Sequence, residues 1–305
     1  MKLISKLTTS ELVHKLVPPT GKIRMVLDTD TYNEVDDQFA LAYALRSPEK
    51  LTLEAVYAAP FHNDRSSSPE DGMEKSYDEI LKIFNFMHMS SENLVYKGSR
   101  GYLANEDTFQ ESSAARDLVK RAMACGDEPL YVVAIGAITN VASAILMEPA
   151  IVDKIVIVWL GGNALNWPDT KEFNLYQDIP AARVIFDSGV PVVQIPCAGV
   201  TTHLLTTIPE LETYLLGKSE IGTYLTEIVK GYTNEPYAWS KVIWDISAIA
   251  WLINPEWLPS TLTHSPIVTK EGTYSVDTSR HFIRYVNHMD RDQIFGHMFK
   301  KLADV

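Results

Sequence analysis

The sequence predicts a single α/β domain, a mostly parallel open sheet flanked by helices, and three observations carry that expectation. Short unbroken apolar runs such as VVAI and IVIVWL recur along the chain, as strands buried on both faces require. They alternate with longer amphipathic stretches, the pattern of strand and crossover helix. No linker, repeat or low-complexity tract divides the 305 residues, and 46% apolar content is enough for one ordinary core.

Residues 1–20 read as an N-terminal extension. Its Leu3, Ile4, Leu7, Val13 and Leu16 form one helix face, ending before Pro18-Pro19. Strands are expected at Ile23 to Leu27, Leu51 to Ala58, Leu130 to Ile135, Lys154 to Leu160 and Val192 to Ile195. Helical patterns cover Asp36 to Arg46, Glu74 to Met87, Ser113 to Ala124, Ile138 to Met147 and Pro180 to Ser188. The last third is more helical, at Pro209 to Leu216, Ile221 to Gly231 and Val242 to Ile253, before a strand at Ile283 to Val286 and a closing helix. Segments 63–72 and 231–240 read as mobile loops beside the site: the first is rich in Ser, Pro and charge, the second carries Tyr232, Tyr237 and Trp239.

A net charge of -12 and a pI near 5.1 disfavour nucleic acid and anionic membrane surfaces as partners. Cys125 and Cys197 form neither a disulfide framework nor a metal-type spacing, so a reducing compartment is expected. The first twenty residues lack a continuous apolar leader segment, and no stretch is apolar enough to span a membrane. Together these predict a cytoplasmic protein acting on a small molecule.

The chemistry concentrates in VLDTDTYNEVDD, where Asp28, Asp30, Glu34, Asp36 and Asp37 crowd ten residues between a strand and a helix. Helix capping explains one or two acids there, not five. Carboxylates packed at a strand terminus need a compensating cation, and hard oxygen donors select Ca²⁺ or Mg²⁺ over zinc.

An apolar strand followed by DTDT resembles the first motif of haloacid-dehalogenase-like phosphatases, in which Asp28 would be the nucleophile. The later acidic pair of that family is missing, since the strand at Lys154 to Leu160 ends in Gly161-Gly162-Asn163. The ordered series DTD, EVDDQFAL, AIGAITNVA, WLGGN, NWPDTKEFN and WD, from about Ile23 to about Ile253, resembles the nucleoside hydrolase family of inosine-uridine type. That resemblance implies Ca²⁺-dependent hydrolysis of ribonucleosides to free base and ribose by a homo-oligomer. It makes Asp30, Asp37, Asp245 and the backbone carbonyl of Ile135 the metal ligands, with Asp30 also the general base. Asp36, Asn63, Asn166, Glu172 and Asn174 would bind the sugar, Asn63 being preferred to His62.

The resemblance also bears on the leaving group. Trp244 stands before Asp245 where pyrimidine-cleaving and less specific members carry His, which resembles the purine-specific branch. Stacking on an indole favours an electron-rich base, so Trp244 is expected to assist a purine leaving group, with Tyr237 and Trp239 closing over it. Trp251 reads as core, and Lys241 either contacts a substituent on the base or sits in solvent, the second being preferred. In one departure, five residues, TYNEV, separate Asp30 from Asp36 where the family motif has three. A catalytically silent nucleoside-binding protein is the non-enzymatic alternative.

Overall fold

In the computed structural model, which describes residues 4–303, twelve strands and eleven α-helices alternate along the chain. The strands are β1 (Ile23–Thr29), β2 (Leu51–Ala58), β3 (Val95–Lys97), β4 (Leu130–Ala134), β5 (Ile155–Leu160), β6 (Val192–Ile195), β7 (Leu205–Thr206), β8 (Lys241–Val242), β9 (Ser260–His264), β10 (Ile267–Val268), β11 (Tyr274–Ser275) and β12 (Phe282–Val286). The helices are α1 (Thr9–Lys15), α2 (Asp36–Leu45), α3 (Pro69–Phe86), α4 (Ser113–Met123), α5 (Thr139–Met147), α6 (Phe173–Gln177), α7 (Ile179–Ser188), α8 (Ile208–Tyr214), α9 (Glu220–Lys230), α10 (Ile246–Ile253) and α11 (Arg291–Leu302).

Eight strands form one sheet in the order β3-β2-β1-β4-β5-β6-β12-β9. All neighbours run parallel except β12 with β9. Alternate residues of a strand point to opposite faces: Tyr131 and Val133 of β4 join one apolar cluster with α2 and α10, while Leu130 and Val132 join another with α4, α5 and α7. Both faces are therefore dry, which explains the unbroken apolar runs. The mostly parallel sheet predicted from alternation is the observed one. No described helix is long and apolar enough to cross a membrane.

The differences have local causes. Helix α3 starts five residues before the expected Glu74, because the Ser68 side chain accepts from Asp71 N at 3.1 Å and Pro69 opens the first turn. The segment read as a loop from 63 to 72 is thus loop only as far as Ser68, and its Ser, Pro and acidic residues form a helix start. Helix α10 begins at Ile246 rather than Val242: Lys241 and Val242 pair with Thr206 and Leu205, and Ile243 N donates to Leu204 O at 2.9 Å. Trp244 and Asp245 accordingly sit on the turn before the helix, not within its apolar run. The N-terminal helix spans only Thr9–Lys15, capped by Thr8, with Leu12 and Leu16 buried; Leu3 lies outside the described residues.

Candidate active site

The order of the sheet reverses at β1, whose neighbours β2 and β4 lead away in opposite directions. Ligands bind at the carboxyl ends of strands flanking such a switch point. Asp30 follows β1, Ile135 follows β4 and Gly161 follows β5, and beside them opens a cavity of about 470 Å³.

Its floor is acidic. Asp30 is fully buried, and neither of its carboxylate oxygens has a hydrogen-bond partner among the described residues. A Cβ at Gly136 would come 3.0 Å from the Asp30 Cγ, tighter than side chains ordinarily pack, so glycine eases the close approach of the chain after β4. Asp36, Asp37 and Asp245, all buried, bring carboxylate oxygens within 4.8 Å of one another. Two of them are held in place: Thr29 Oγ1 donates to Asp37 at 2.5 Å, and Trp244 N donates to Asp36 at 3.1 Å.

Burial raises Asp36 to about 6 against the pull of Lys241, and burial with the charge of Asp36 raises Asp37 to about 8. Asp30 and Asp245 are likewise pushed up, first by burial and then by their acidic neighbours. Orphaned oxygens and repelling carboxylates of this kind fit a hard divalent cation, which would satisfy the first and neutralise the second.

The walls are polar. Glu172 caps α6, its carboxylate accepting from the backbone N of Gly162 and Asn174, each at 2.8 Å, and of Leu175 at 3.1 Å. This hold depends on Gly162, at φ +73, where a Cβ would fall 2.0 Å from the Tyr274 hydroxyl. Asn174 donates to Leu160 O at 3.0 Å. On the facing wall Asn63 donates to Asn33 Oδ1 at 2.7 Å and accepts from Arg65 N at 2.9 Å. Asn63 lines the cavity while His62 is exposed and does not.

The structure thus brings Asp36, Asn63, Ile135, Glu172, Asn174, Trp244 and Asp245 to one cavity, with Asp30 and Asp37 beneath it. Asn166 is not among its lining residues: it is exposed on the turn after β5, and Asn163, three residues earlier, lines the cavity instead. The Asn163 side chain accepts from Ala198 N and donates to Asp169 O, each at 3.2 Å, which fixes its amide at the edge of the cavity it lines. Tyr237 is 96% exposed, and Trp239 packs beside Tyr232 with ring centroids 6.5 Å apart; neither lines the cavity.

Lys241 is not solvated but buried, in an ion pair with Glu34, because β8 carries it under the cleft rim. Trp251 is fully buried, as expected of core. Asn33, Glu34, Asn163 and Cys197 line the cavity without having been singled out for it. Glu34 stood out only as one of the five crowded acids, and Asn33 only through the unusual length of TYNEV.

Residues 25–295 match the family model described as inosine-uridine preferring nucleoside hydrolase. The chain belongs to this family. It is therefore an enzyme that acts on ribonucleosides, and the phosphatase reading falls; consistent with this, Asp28 is buried behind the cavity, accepting from Asn140 Nδ2 at 2.7 Å.

The chain is similar to the pyrimidine-specific ribonucleoside hydrolase RihA of Escherichia coli O81 (strain ED1a), 27% identical over 281 residues, which span 82% of this chain and 86% of that protein. In fold it is similar to a purine-preferring ribonucleoside hydrolase from Gardnerella vaginalis, with a TM-score of 0.76 at 22% identity over 92% of this chain and 98% of that one. A plant nucleoside hydrolase, PpNRh1, superposes with a TM-score of 0.73 at 21% identity, covering 94% of this chain and all of that one.

Proposed function

We propose that this nucleoside hydrolase cleaves the N-glycosidic bond of purine ribonucleosides in a Ca²⁺-dependent reaction, releasing free base and ribose. The observation that carries the reading is the buried Asp30 carboxylate, without a partner, beside the Asp36, Asp37 and Asp245 cluster at the floor of a polar cavity.

Asp30, Asp37, Asp245 and the Ile135 carbonyl would hold the cation, which when bound supplies Lewis acidity toward a water and the sugar diol. Asp30, unsolvated and without a hydrogen bond, accepts the proton of the attacking water as general base. Cleavage leaves positive charge on the ribose ring, and the buried carboxylates below it stabilise that charge without reorganising. Asp36 and Asn63 on one wall, and Glu172, Asn174 and Asn163 on the other, orient the sugar hydroxyls. Glu172 acts as acceptor because three backbone N–H groups hold its carboxylate at the start of α6.

Trp244, fixed by its backbone bond to Asp36, offers its indole to the departing base. The names of similar proteins point both ways, one pyrimidine-specific and one purine-preferring; Trp244 in place of a titrating side chain favours the purine reading. The test is chromatographic. Purified protein is incubated with inosine, guanosine, adenosine, uridine and cytidine, with Ca²⁺ or with chelator. Ca²⁺-dependent release of purine bases is expected; release unaffected by chelator, or of pyrimidines alone, contradicts the reading.

A further inference from the structure

The two extra residues between Asp30 and Asp36 lie in a stretch that forms a wall of the cleft, and that wall is fastened from both sides. Glu34 lines the cavity, and its Oε2 is ion-paired with Lys241 Nζ. Lys241 is 8% exposed and lies three residues before Trp244, so the pair belongs to the side of the cleft where the base would stack. Its ammonium sits 5.0 Å from the Tyr232 ring centroid. On the other flank Arg65 donates to the Glu34 carbonyl at 2.9 Å and covers the Tyr32 ring at 4.3 Å. Asn33 is tied to Asn63, one of the proposed sugar contacts.

A surface carboxylate is ordinarily mobile and hydrated; this one is held at its backbone and at one oxygen, which leaves the other oxygen to meet a ligand. A carboxylate only accepts, and Glu34 lines the cavity while the buried Lys241 does not, so the cleft presents an acceptor that needs a ring N–H. The complementary edge is a lactam, a ring N–H next to a carbonyl. Hypoxanthine and guanine present that edge, whereas adenine presents a bare ring nitrogen beside an amino group.

We propose that Glu34, positioned by Lys241, selects the leaving base by accepting its ring N–H, and that the enzyme therefore takes 6-oxopurine nucleosides in preference to adenosine. The inference rests on the hydrolase reading and refines its purine preference. Glu34 is half-buried, and a charged acceptor in the cleft deprived of its donor costs selectivity of about 10- to 100-fold.

The experiment compares kcat/KM for inosine and 1-methylinosine, which lacks the ring N–H, in wild type, E34A, E34Q and K241M. Uridine and 3-methyluridine form a parallel pair. Wild type is expected to favour the unmethylated nucleoside by about 10- to 100-fold. E34A should bring that ratio to within about threefold, with E34Q and K241M between. An equal ratio in E34A and wild type, or a wild-type ratio near one, overturns the inference while leaving the hydrolase intact. If wild type cleaves only the uridine pair, the purine preference falls and with it the 6-oxopurine assignment. The methyl penalty on uridine then still shows whether Glu34 reads an N–H.

Discussion

Removing the cation should destabilise the protein, and replacing one ligand should have the opposite effect on the metal-free form. Asp36, Asp37 and Asp245 hold oxygens within 4.8 Å of one another. At an effective dielectric near 20 each ionised pair at that distance repels by about 3 kcal/mol. Three such pairs would approach about 10 kcal/mol if all were ionised, and burial together with this repulsion is why Asp37 and Asp245 without the cation are pushed toward their protonated forms. Calcium at about a hundred times its dissociation constant should contribute about 2.7 kcal/mol, a rise of roughly 4 °C in melting temperature for a chain of this size.

Asp37→Asn removes two of the three repelling pairs yet keeps an oxygen to accept from Thr29. Scanning fluorimetry above pH about 8, where the metal-free Asp37 gives up its proton, with Ca²⁺ and with chelator should show the wild type shifting upward with calcium. D37N should melt higher than wild type in chelator and respond little to calcium. If wild type melts identically with and without Ca²⁺, or if D37N melts lower in chelator while still responding to calcium, the cluster is not a cation site and the reasoning is refuted.

Trp244→His should raise the uridine-to-inosine ratio of kcat/KM by about tenfold or more; an unchanged ratio removes Trp244 from leaving-group selection. Asn163→Ala should lower kcat/KM by about 10-fold or more, the loss of one buried polar contact, while Asn166→Ala stays within about twofold because that side chain is on the surface. Equal effects would return the sugar contact to Asn166. His281 is lowered to about 4, by burial first and then by Arg280, and its Nε2 has no hydrogen-bond partner among the described residues. Below pH about 6.5 the unfolded chain takes up a proton that the native His281 refuses, so stability falls as pH drops toward 4, by at most about 3 kcal/mol. Denaturant melts of wild type and His281→Asn across that window should show a shallower decline in the variant; parallel curves would contradict the assignment.

The fold was legible because its signals are dense and local: unbroken apolar runs at β4, β5 and β6 require two covered faces, and both proved dry. The acidic floor was legible because Asp30, Asp36 and Asp37 lie close together in sequence, while Asp245 came only through resemblance. What escaped was set by tertiary contact. Strands β7 and β8 are two residues each and exist by pairing with one another, and no periodicity announces a pair of that length. Ser68 and Pro69 carry a helix-start signature, but one whose charged and polar residues also describe a loop. Asn163 and Asn166 are equivalent by composition, and the turn after Gly162 alone decides which faces inward. Lys241 reads as solvated until β8 is seen to pin it against Glu34, a residue 207 positions away.

The most direct test of the account is single-turnover release of base from inosine by Asp30→Asn at saturating Ca²⁺, with calcium binding followed in parallel by the melting shift. Loss of two or more orders of magnitude in rate, with the protein folded and its calcium response weakened but still saturable, is the result expected of a general base that is also a ligand. Release at near wild-type rate would show that the proton goes elsewhere and that Asp30 is not the group around which the site is built.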